Sequence, residues 1–216
     1  MFYMSWLTDI RSRWGPVATP VLIAGLALAA VSLIMTLAAH INYLVAEPGV
    51  AQAHADVWGT LAIVMATASV GLLVLARTRA GDQQQLWGQT TDLAVAIGLS
   101  ALSIVFALII LIVGLDERVD AANSWLNFAL AWSFVTLGWL VVSRPVPREW
   151  DTQRGAVIGG TILAVTAVFA VVGLSTGLGS EFDDYVHGAS WLGLAWVGAI
   201  VGIGWLFGLR PSEKPS

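Results

Sequence analysis

Long uncharged apolar runs set the pattern of this chain, each bounded by aromatic or charged residues. Trp58–Arg77 reads WGTLAIVMATASVGLLVLAR, and the same Trp-to-Arg spacing returns at Trp125–Arg144 and Trp191–Arg210. Three further runs alternate with these, each preceded by a tryptophan: Trp14, Trp87 and Trp150. The apolar segments cover about Val17–Ala39, Trp58–Ala76, Leu93–Leu115, Trp125–Ser143, Gly155–Gly177 and Trp191–Leu209. Helices rise ~1.5 Å per residue, so runs of this length cross a hydrocarbon core of ~30 Å. The expected fold class is all-α: a polytopic integral membrane protein with six transmembrane helices as three tandem two-helix hairpin repeats. The repeat units are residues 14–79, 87–146 and 150–212 of one transmembrane domain spanning 1–216.

The interruptions agree with this division. Glu47-Pro48-Gly49 breaks the first helix, and Pro145 disfavours a helical residue before it. Val17–Ala39 is longer than the ~7–15 apolar residues of a signal peptide, which predicts an uncleaved first helix. Ala27-Leu28-Ala29 keeps a cleaved signal as the alternative.

Composition narrows the class further. The chain is 57% hydrophobic and 11% charged, which excludes one or two ordinary soluble domains. It has no cysteine, so disulfides, thiolate metal sites and thiol catalysis are excluded.

Charge gives an orientation. Arg11, Arg13, Arg77, Arg79, Arg144, Arg148, Arg154, Arg210 and Lys214 fall on one side of the six spans, and Arg118 alone on the other. By the positive-inside rule both termini are cytoplasmic, and the expected location is the plasma membrane. Glu47, Asp56, Asp116, Glu117, Asp120, Glu181, Asp183 and Asp184 make the outer face acidic. That serves topology and solubility, or attracts a cationic partner or metal ion.

Each hairpin starts and ends on the same side, so the copies are related by an axis along the membrane normal. Three such units can close into a ring, which would place the last helix beside the first. Trp58, Trp125 and Trp191 then form an interfacial belt, while Trp132 and Trp196 lie at membrane depth, where they are expected to pack inside rather than to stack on a ligand. Small and hydroxyl residues recur at helical spacing. They allow close helix approach, or else Ser32, Thr36, Thr60, Thr67, Ser100 and Ser103 form a polar interior face that conducts a neutral solute.

The centres of the six spans hold no Asp, Glu, Lys, Arg or His. That argues against an ion-coupled transporter, a proton pump, a voltage sensor, a retinal protein and a mid-bundle bis-histidine haem. No nucleophile elbow, phosphate loop or long basic run occurs, so no nucleic-acid partner and no cofactor are expected. The three histidines, His40, His54 and His187, all fall at outer helix ends near Asp56, Asp183 and Asp184. Imidazoles and carboxylates suit Zn²⁺, Cu²⁺ or Fe²⁺ if a ring brings them together; otherwise each bonds loop backbone or water. Asp56 and Asp92 stand near helix N-termini, where a carboxylate complements the dipole.

The expected role is a non-enzymatic accessory, assembly or partner-binding membrane protein, its partners the lipid bilayer and other membrane proteins. The alternatives are a small channel or carrier for a neutral solute and a metal-dependent activity at the outer face.

Overall fold

The structure, a computed structural model, describes residues 2–45, 50–80, 86–116, 119–143 and 152–208. It is all-helical: α1 (Phe2–Val45), α2 (Val50–Arg79), α3 (Gln89–Leu115), α4 (Val119–Ser143), α5 (Thr152–Gly177) and α6 (Phe182–Gly208). Each carries a segment long and apolar enough to cross a membrane: Leu7–Asn42, Val57–Arg79, Thr90–Leu115, Ala122–Ser143, Val157–Gly177 and Phe182–Leu206.

The helices are longer than the apolar runs. In α1 two helical pieces meet at Gly15, whose φ of +77° lies where glycine alone has no Cβ penalty. Pro16 follows at the start of the second piece, where its missing N–H leaves no bond unmade. The first piece is amphipathic. It buries Ile10 and Trp14 in the same core as Leu22, Leu73, Leu86 and Trp139, and exposes Thr8, Asp9, Arg11 and Ser12. α6 starts at Phe182, ahead of the apolar run that begins at Trp191. Asp183 and Asp184 occupy its first turn, and the Glu181 backbone N–H donates to the Asp184 carboxylate at 3.3 Å. This is the return half of a capping box, in a turn where negative charge also meets the helix dipole.

Consecutive helices pair: α1 with α2, α3 with α4, and α5 with α6. The pairs stand in a row. α4 sits at the middle and touches α1, α2, α3 and α6, whereas α5 touches α6 alone among the described residues. α1 and α6 do not touch there, so the expected ring is open. The reason lies in the even helices. α2 packs on α4 and α4 on α6, so they form a spine, with α1 set against α2 and α4 and α3 against α4 and α6.

Side-chain volume explains the close pairs. A methyl built on Gly188 would stand 2.3 Å from the Gly177 Cα, so α5 and α6 meet backbone to backbone. Lipid tails are as apolar as leucine, and such close contact replaces the hydrophobic effect as the source of association.

Candidate functional site

Five buried hydroxyls, those of Ser32, Ser69, Ser100, Ser103 and Thr136, join helices. The Ser32 hydroxyl donates to the Ala62 carbonyl and the Ser69 hydroxyl to the Gly25 carbonyl, each at 2.7 Å, which ties α1 to α2 twice. Ser103 and Thr136 share a bond of 3.1 Å between α3 and α4. Ser100 donates to the Ala96 carbonyl at 2.7 Å and accepts from the Trp205 indole at 3.0 Å, joining α3 to α6. Thr36 is buried and donates to the Leu33 carbonyl at 2.8 Å. Thr60 and Thr67 are exposed, and Thr67 bonds within its own helix, to the Ile63 carbonyl at 2.9 Å. The six residues of the expected polar face are thus divided between separate helix contacts and the outer surface of α2. Their partners Ser69, Thr136 and Trp205 carry no sequence signal beyond a place one or two turns along a neighbouring apolar run.

The histidines are also divided. The half-buried His40 ring lies 4.2 Å from the Trp125 ring and 5.5 Å from Phe128, between α1 and α4. Beside it Thr36, Ser124, Asn127 and Gly59 line a cavity of about 10 Å³, roughly the room of one water. His40 Nδ1 and Ser124 Oγ are buried there without a hydrogen-bond partner. His187 belongs to α6, and the His54 side chain lies outside the described residues. Among the described residues no three His, Asp or Glu side chains converge as a metal ion needs.

Asp92 does more than complement a dipole. It is fully buried, and its carboxylate accepts the backbone N–H of Leu86 at 3.1 Å and of Trp87 at 3.3 Å. Its own carbonyl accepts from the Trp139 indole at 3.1 Å, which holds α4 against the start of α3. Arg13 donates to the Leu86 carbonyl at 3.1 Å and pairs with Asp9 on its own helix at 2.5 Å. The bent N-terminal piece of α1 is therefore anchored to residues 86–92. The sequence offered the acid near a helix start but not the tryptophan and arginine that meet it.

The open edge of the row is the least expected feature. Trp196, expected inside, is 65% exposed near the middle of the α6 span, and Ile203 is exposed two turns further on. On α5, Gly160, Ala164 and Ala167 form an exposed stripe. Gly159, Leu163 and Thr166, the neighbouring positions, meet α6 instead.

Comparison with protein-family models, curated proteins and solved structures finds no match. The fold itself defines the class: an all-helical, multi-pass membrane protein.

Proposed function

We propose that this is a non-enzymatic membrane protein that acts by binding other membrane proteins along the open side of α5 and α6. The observation that carries the reading is Trp196. Tryptophan favours the two membrane interfaces, where its N–H meets water, yet this indole is exposed near mid-span. The exposed small-residue stripe of α5 supports the same reading, because such stripes admit a close helix neighbour. The buried hydroxyls of Ser32, Ser100 and Ser103 bond carbonyls or a neighbouring hydroxyl, which favours a packing role over solute conduction.

The finer architecture belongs to this proposal. Three tandem hairpins are supported by contacts that recur between successive pairs: Leu73 against Gly138, then Leu140 against Gly204. A plasma-membrane location with both termini cytoplasmic is supported by the bias of arginine and lysine.

A photoreactive amino acid at Trp196, activated in native membranes, tests the function. A discrete protein adduct is the expected product. Adducts to lipid alone would reject partner binding at this face.

A further inference from the structure

We infer that the partner is a second copy of this chain, whose α2 docks on α6 as α4 docks on α2 and α6 docks on α4. The inference rests on the partner-binding reading above and names the partner.

The interface between successive hairpins is built twice in this structure. In the first, α4 carries Asn127, Ala131, Val135 and Gly138 along one stripe. A methyl on Gly59 would stand 2.9 Å from the Asn127 Cβ, and one on Gly138 would stand 2.8 Å from Leu73 Cδ1 and 3.7 Å from Val70 Cγ2. In the second, α6 carries Gly193, Val197, Val201 and Gly204 at the same spacing. A methyl on Gly193 would stand 3.2 Å from Leu126 Cδ1, and one on Gly204 would stand 2.9 Å from Leu140 Cδ1 and 3.4 Å from Leu137 Cδ1. Both times a glycine of the later helix receives a leucine tip of the earlier one.

Each half of this interface occurs once more without its complement. α2 carries Thr60, Val64, Ala68 and Gly71 at the same spacing, all exposed, and nothing lies within 4 Å of a methyl on Gly71. α6 carries Leu192, Ile203 and Leu206 at the places that Leu126, Leu137 and Leu140 hold on α4. Leu73 sets Cδ2 against Gly25 and Cδ1 against Gly138, and is 1% exposed. Leu206 sets Cδ2 against Gly159 in the same way, but remains half-buried. The second copy supplies Gly71 to Leu206 and Ile203, and Thr60 to Leu192. The contact joins unlike faces, so it repeats from copy to copy and either closes or extends.

The chain has no cysteine, so introduced thiols report single contacts. Gly71→Cys and Ile203→Cys, on separate chains co-expressed and oxidised in one membrane, should give a disulfide-linked dimer that neither variant gives alone. Val70→Cys with Gly138→Cys in one chain is the matching contact inside the molecule, and calibrates the oxidation. Formation of that internal bond without the mixed dimer would overturn the second copy as partner. The photoreactive residue at Trp196 separates the two levels. An adduct to a different protein leaves partner binding standing and removes self-association; lipid adducts alone remove both. Gly71→Leu should abolish the homo-adduct and leave the melting temperature of the single chain unchanged.

Discussion

Leu73 is held between two glycines of different helices, and the strain of enlarging either is calculable. A methyl on Gly138 meets Leu73 Cδ1 at 2.8 Å, while Cδ2 is fixed on the other side by Gly25, again 2.8 Å from a built methyl. The leucine therefore has no free direction in which to yield. Gly138→Ala should cost about 2 kcal/mol, within the usual range for overpacking. Leu73→Ala loses contact rather than transfer energy, because lipid is as apolar as the core. A void of ~80 Å³ at ~24 cal/mol per Å³ gives about 2 kcal/mol. Either change should lower the melting temperature by about 4–8 °C for a chain of this size. In the double variant the new methyl enters the space the leucine vacates, so the combined loss should fall short of the sum by about 1–2 kcal/mol. Thermal scans in detergent or nanodiscs, read from the 11 tryptophans, provide the assay. A Gly138→Ala protein as stable as its parent, or two losses that simply add, would refute the wedge.

Three further outcomes are expected. Asp92→Ala strands the N–H groups of Leu86 and Trp87 and should cost about 1–3 kcal/mol for each left unpaired, while Asp92→Asn, which keeps an acceptor, should cost less; denaturant titration of both compares them. Ser124→Ala removes a buried hydroxyl that has no partner and should hold or raise the melting temperature, whereas a fall would show that a bonded water fills the His40 cavity. Reporter fusions after Ser216 should be cytoplasmic and those in the 178–186 segment external, and the reverse pattern would overturn the orientation read from the cations.

The six spans were legible because length and apolarity alone define a crossing helix. Which helices touch was not, because lipid-facing and buried positions are equally apolar. Val197 is fully buried and Trp196 beside it is exposed, yet nothing in either residue says so. Small residues narrowed the choice without deciding it: Gly138 receives a leucine, while Gly71, at the matching place on α2, receives nothing. The ring was a symmetry argument, and symmetry does not state the angle between neighbours. The polar contacts failed for another reason. The Trp205 indole reaches Ser100 across a separation of 105 in sequence, which no local pattern records.

The central place of α4 has a consequence for synthesis. Apart from the bent end of α1, which holds Leu86, α1 and α2 pack on the other helices only through α4 among the described residues, so the first pair lacks its main docking surface until the fourth span is made. It is equipped to wait. Ser32 and Ser69 find their acceptors inside the pair, so neither of these two hydroxyls waits unsatisfied in lipid. Ser100 bonds its own helix through Ala96 while the chain continues to grow. Its second partner, Trp205, emerges last and locks the third helix to the sixth after every other span is in place.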